Sequence, residues 1–194
     1  MSTLPPSEIV ISAEKSALQK IEFSTRKTVI LGILAGIYIA MGGLLSLLIG
    51  SGFPEITNNN PGLQKLFFVY VMVHSTGVVA SDPLHSAIKN IAVAKVSMSW
   101  ITVFLKGIGA NWLVCLAVWL GMSSSSTAGK FIGLWFPVMG FVAIGYEHSI
   151  ANMFFIPLGM LQGADISVYD FLVSNLIPAT LGNIIGGALF VGSF

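Results

Sequence analysis

Apolar runs close to the roughly 20 residues that a helix needs to cross a bilayer recur along this chain. The first, Thr28 to Ile49, predicts a membrane span. Leu66 to Ala80 is apolar over only 15 residues and contains His74, Ser75, Thr76 and Gly77. That length predicts a partial span that dips into the membrane without crossing it. Trp100 to Met122 predicts a second full span, interrupted by Lys106. Phe131 to Leu161 is apolar for 31 residues, too long for one straight crossing, and holds Pro137 and Pro157. It predicts a helix broken in mid-membrane, an arrangement that often marks an ion or substrate site. Leu172 to Phe194 predicts a last span, in which Gly182, Gly186 and Gly187 allow close helix packing.

The polar stretches between these runs supply the surface elements. Ser7 to Ser24 reads as an amphipathic helix, with Pro5 and Pro6 before it, Ser7 able to cap it, and Ala13, Ala17, Leu18 and Ile21 at helical spacing. Lys15, Lys20, Arg26 and Lys27 precede the first span, which puts the N-terminus on the cytoplasmic side. Residues 1–27 are thus a cytoplasmic segment and residues 28–194 the membrane domain. Ser51 to Gly62 is dense in turn formers and predicts an exposed loop. Ser81 to Ser99 is polar, with Lys89 and Lys95; Ser123 to Lys130 is a flexible polar turn; Asp165 to Asp170 returns to the surface.

Composition makes the membrane assignment firm. Charged residues are 9% of the chain against about a quarter in soluble domains, and 55% of residues are hydrophobic. A net charge of +1 gives no electrostatic case for a nucleic-acid partner. The single cysteine, Cys115, excludes an internal disulfide or a Cys-rich metal site and reads as a small buried hydrophobe. The N-terminal stretch lacks the pattern of a cleavable signal. Hydrolase and phosphate-loop motifs are missing, and the three histidines lack metal-ligand spacing, so neither enzyme chemistry nor a cofactor is expected.

The chemistry concentrates in F-V-A-I-G-Y-E-H-S-I-A-N-M-F-F-I-P-L-G, Phe141 to Gly159. A charge at the bilayer centre costs about 2.5–3.5 kcal/mol even on insertion scales, and groups kept there usually serve transport or a relay. His148 has two readings: a neutral, hydrogen-bonded structural histidine, or a group that titrates as an anion arrives. Glu147 faces the other way, since adjacent residues diverge on a helix, and reads as a structural anchor accepting bonds from backbone or Ser149. Asn111 and Asn183 sit in apolar surroundings, where interhelical hydrogen bonding competes with a role in a pore. Trp112 and Trp119 read as lipid-facing or packing residues, and Phe141 as packing or as a pore constriction.

Three stretches closely resemble the formate/nitrite transporter family: G-Y-E-H-S-I-A-N-M-F (Gly145 to Phe154), A-N-W-L-V-C-L-A-V-W (Ala110 to Trp119) and N-L-I-P-A-T-L-G-N-I-I-G-G (Asn175 to Gly187). L-P-P-S-E-I-V and I-L-G-I-L-A-G-I-Y-I-A-M-G-G also resemble its N-terminal helix and first span. The resemblance implies an all-α membrane bundle, an aquaporin-like inverted repeat of six spans, assembled as homo-pentamers with one pore per subunit. It implies transport of small monovalent anions or their acids: formate, nitrite, hydrosulfide, acetate or lactate. By motif match His148 is the central pore histidine, Asn111 and Asn183 its polar companions, Phe141 an aromatic at the outer constriction, with Val114 nearby. Lys95 aligns with a basic residue that attracts anions. On a continuous helix the sixteen residues from Lys95 to Asn111 would span roughly 24 Å, placing Lys95 at an entrance unless the chain folds back, and Lys106 competes for the role.

The chain departs from the family after the first span. L-Q-K-L-F (Leu63 to Phe67) runs directly into F-V-Y-V-M-V-H, which resembles only the closing part of the third span. The second span, whose internal loop carries a threonine near the histidine, and the start of the third are expected to be missing. The fold expected is therefore an incomplete inverted repeat with one broken helix and a pore lacking one wall. Two functions follow: a proton-sharing anion channel in a cell or organellar membrane, or a shortened, non-transporting subunit that modulates full-length pentamers.

Overall fold

The structure, a computed structural model, describes residues 3–52, 81–189 and 191. Helix α1 covers Pro6–Ile21 and α2 covers Thr25–Gly52. After the undescribed stretch come α3 (Leu84–Val96), α4 (Trp100–Met122), α5 (Thr127–Ile144), α6 (Ser149–Leu161) and α7 (Asp170–Ala188), the first part of α7, Asp170–Leu176, being π-helical. The expected partial span 66–80 and nearly all of the expected loop 51–62 lie outside the described residues. Among the described residues, α4, α5 and α7 are long and apolar enough to cross a membrane, and α6 is a shorter apolar helix. The result is a helical membrane bundle.

Local chemistry sets the helix starts. Ser99 caps α4 by accepting the Thr102 N–H at 3.3 Å, and Ser126 caps α5 by accepting the Gly129 N–H at 3.1 Å. At the entry to α7, Ser167 and Asp170 exchange backbone and side-chain bonds at 3.0 and 3.1 Å, a reciprocal capping pair. Helix α1 departs from expectation: Pro5 occupies the cap position with no side-chain bond, and Ser7 lies inside the first turn. A proline needs no N–H partner there, so the turn starts without a serine cap.

Polar Ser81 to Ser99, unassigned from sequence, contains helix α3. Ile88 packs with Leu158, and Ala92 with Ile156 and Ile166, on a stripe facing α6. Gly159 lets the two helices meet, since a Cβ there would collide with the Ala92 side chain. At one end of this pair His85 Nδ1 and Gln162 Oε1 lie 3.1 Å apart. Helix α2 rests on α3 and α6, and the segment before α1 is pinned to the α4–α5 turn by Leu4 N–H donating to Ser123 O at 2.8 Å.

Helix α4 is the centre, packed chiefly on α7 and α5. Its approach to α7 is backbone on backbone. A Cβ at Gly107 would stand 2.8 Å from Ala179 O, one at Gly182 would strike Phe104 O, and one at Gly186 would strike Ile108 O. The outward faces carry Leu105, Leu116, Leu120, Phe131, Phe136, Leu181 and Ile184, all exposed, which suits contact with lipid. Because van der Waals fit rather than water expulsion drives helix association in lipid, this glycine seam should be sensitive. Gly182→Ala should lower stability by about 1–3 kcal/mol through overpacking, read as a fall in thermal unfolding midpoint in detergent. Gly140→Ala, where a Cβ meets nothing within 4 Å, should leave the midpoint nearly unchanged.

Candidate functional site

The 31-residue apolar run is two helices, α5 and α6, separated by Gly145–His148. Neither proline makes the break: Pro137 and Pro157 sit inside helices. Gly145 does, by turning into the left-handed region at φ 77°, ψ 38°. Its N–H donates to Val142 O at 3.1 Å, and Tyr146 N–H to Phe141 O at 3.0 Å, closing α5 with a Schellman motif. The Tyr146 ring then lies against Gly109 of α4, where a Cβ would come within 2.8 Å of the ring. His148 follows in extended conformation, φ −108° and ψ 119°, at the cap position of α6. Its ring packs on Phe141, centroids 5.7 Å apart, and both residues are 8% exposed. Its Nδ1 is buried without a hydrogen-bond partner.

Glu147 is buried, with a 3% exposed side chain, and heads a polar cluster. Oε1 accepts from the Lys95 ammonium at 2.9 Å; Oε2 accepts from Asn152 at 2.7 Å and from Asn175 at 3.1 Å. Asn152 also donates to Asn175 Oδ1 at 2.7 Å, and Asn175 to Lys95 O at 2.9 Å. The anchor's partners are thus a lysine and two asparagines rather than Ser149. Lys95 reaches Glu147 from the last turn of α3, which ends at Val96 before α4 begins at Trp100, so the distance along one continuous helix does not apply. Its positive charge is largely neutralised where it sits.

The two asparagines expected beside the histidine are drawn to backbone. Asn183 Oδ1 accepts the Ser149 N–H at 2.8 Å, while Nδ2 donates to Glu147 O at 2.9 Å and Gly107 O at 2.8 Å. Asn111 Nδ2 donates to Asn183 O at 2.6 Å. Val114 lies on α4 beyond Asn111, half-buried, and Lys106 donates to the Met98 sulfur at 3.4 Å. His148, Phe141, Glu147, Lys95, Asn111 and Asn183 are therefore linked into one neighbourhood by a ring contact and hydrogen bonds, to which the Lys106–Met98 contact does not connect. Sequence reasoning gave Asn152 and Asn175 no role. Asn152 stands in the same motif as the glutamate, and Asn175 falls in the π-helical part of α7, a geometry often found at functional sites.

Losing one partner from a buried ion pair strands the other charge. Lys95→Met should cost about 3–5 kcal/mol of stability, and adding Glu147→Gln should restore most of it. Denaturation of the purified single and double variants in detergent checks the sign and the recovery.

The profile of the family described as formate/nitrite transporter matches residues 7–68 and, separately, 63–194. The uncharacterized transporter YrhG of Bacillus subtilis (strain 168) is 34% identical, covering 99% of this chain and 92% of its own. That alignment runs over 247 positions against 194 residues here, so at least 53 positions have no residue in this chain. A probable formate transporter of Methanothermobacter thermautotrophicus is 43% identical over 140 residues, 65% of this chain; the matched part spans about half, 51%, of that relative. Among solved structures, a pentameric formate channel with formate bound superposes with a TM-score of 0.70 at 25% identity, over 84% of this chain and 92% of the other.

Proposed function

This chain belongs to the formate/nitrite transporter family, and from that premise we propose that it conducts small monovalent anions or their acids, formate and nitrite among them, across a membrane. The observation that carries the reading is His148: a buried imidazole at the break of a membrane helix, its ring against Phe141 and the backbone on either side of it held by one amide. A bare anion in a low-dielectric passage is costly, while its protonated acid is not. His148 shares or supplies a proton, so that a neutral acid crosses the apolar part. Phe141 and Val114 exclude water from that passage. With Lys95 held by Glu147, Lys106 is the stronger candidate for drawing anions toward the pore. The α6 N-terminus, whose first turn follows His148, adds a favourable field for a negative group. The functional unit is a homo-pentamer, and the N-terminus is cytoplasmic.

The proposal includes an internal deletion covering the second span and the start of the third. Two observations support it: the family profile matches in two stretches that meet at residues 63–68, and at least 53 aligned positions of YrhG have no residue here. The same observations favour a second reading, a non-transporting subunit that joins full-length pentamers. Formate uptake into proteoliposomes separates them. Uptake by this chain alone, falling at least about tenfold in His148→Phe, fits the role of a positioned acid–base group and supports the channel. Absence of uptake, together with co-purification of a full-length homologue, supports the subunit.

Topology gives an independent check. If the segment 66–80 does not cross, a cysteine introduced at Lys130 in a Cys115→Ala background is expected to be labelled only from the cytoplasmic side. Labelling by an impermeant maleimide from outside intact cells would overturn that arrangement.

A further inference from the structure

We infer that Asn183 is the positioning residue for His148 rather than a ligand of the permeating anion, and that Asn111 acts on His148 through Asn183. The inference deepens the channel reading proposed above and rests on it for its transport arm.

A helix broken at membrane depth exposes backbone groups that lipid cannot satisfy. Beside His148 the groups at stake are the carbonyl before it and the N–H after it. His148 itself offers no side-chain cap to α6. Asn183, 34 residues further on, supplies both missing partners at once: Oδ1 takes the Ser149 N–H at 2.8 Å, and Nδ2 gives to Glu147 O at 2.9 Å. The second proton of Nδ2 goes to Gly107 O of α4 at 2.8 Å. Both donor protons are spent, and the amide cannot flip, since its oxygen would then face two carbonyl oxygens. An amide so used has no donor left for an anion. It instead fixes the peptide on each side of residue 148 and so sets where the imidazole points.

Asn111 is one step further out. Its Nδ2 donates to the main-chain carbonyl of Asn183 at 2.6 Å, and Gly187 leaves room for it, since a Cβ there would stand 2.6 Å from that nitrogen. Gly107 plays the matching part on the other side, where a Cβ would press to 3.3 Å from Asn183 Nδ2. The Asn183 side chain thus lies in a slot bounded by Gly107, and its main-chain carbonyl is held by Asn111 in the space that Gly187 leaves open. Orientation, rather than solvation of a passing ion, is what such a slot can deliver.

The test pairs a local readout with transport. In purified protein, carbethoxylation of His148 by diethyl pyrocarbonate is followed by mass spectrometry of its peptide, in wild type, Asn183→Ala and Asn111→Ala. The rate at His148 should rise about tenfold in Asn183→Ala, the change expected when a local opening loses one to two net hydrogen bonds. It should rise less in Asn111→Ala. In formate uptake, both variants should lose maximal rate and flatten the pH profile, while the half-saturating concentration stays within about twofold, the pattern of a lost transition-state interaction. An unchanged His148 rate in both variants overturns the inference, as does a rise in half-saturation with maximal rate and pH profile kept. If Asn183→Ala does not fold, Asn111→Ala carries the same comparison. Failure of the wild-type chain to take up formate would defeat the channel reading, while the carbethoxylation rates would still decide the positioning role.

Discussion

Backbone that leaves a helix inside a membrane must find its hydrogen bonds within the protein, and the rest of this structure is arranged around that requirement. Gly145 ends α5 by folding the last N–H groups back onto it. The other side of the gap cannot be closed the same way, because α6 begins from an extended histidine with no cap of its own. The missing partners are imported from α7, which must therefore lie against the break. It can do so only because α4 lies against α7 with glycines at the seam. Close packing of α4 on α7 and the presentation of His148 are thus one constraint seen at two depths. A methyl group added at the seam moves the amide that holds the histidine.

Charge is handled by the same logic. Glu147 accepts from three groups, one ammonium and two amides, and one of those amides, Asn175, also donates to the backbone of α3. Such a pair is not in itself a large source of stability, because desolvation offsets most of the Coulomb attraction. What it does is tie α3, α6 and α7 together at the break. The only helix among these that looked unremarkable from its composition, α3, supplies the cation.

Much of this was legible from residue pattern alone. Three long apolar runs became α4, the α5–α6 pair and α7, because length and hydropathy dominate when the solvent is lipid. The break was legible from a run too long for one crossing, yet its position was not. Two prolines drew attention, whereas a glycine in the left-handed region did the work, and proline is tolerated in membrane helices when neighbours re-satisfy the backbone. Helix α3 was missed because lysines and small polar residues hide a narrow stripe of Leu84, Ile88 and Ala92. The partners of Glu147 were missed for a different reason. Hydrogen bonds between residues 52 and 28 positions apart follow from the crossing of helices, and no local spacing encodes them.

The partners of the break bear on how much of it can survive the loss of other spans. Among the described residues, the side chains bonded to Glu147 and Ser149 on either side of His148 come from Lys95, Asn152, Asn175 and Asn183. All four stand after residue 81, on α3, α6 and α7. The junction at residues 63–68, where the family profile splits, lies outside that set. Among the described residues, holding the histidine in place is therefore the task of those after residue 81, whereas enclosing a passage around it needs a facing wall. The two demands are separable in physical terms: the first is met by hydrogen bonds internal to one group of helices, the second by the surface that group presents. A chain shortened in its first half can keep a correctly presented imidazole, and what it does with that imidazole depends on what covers the face opposite.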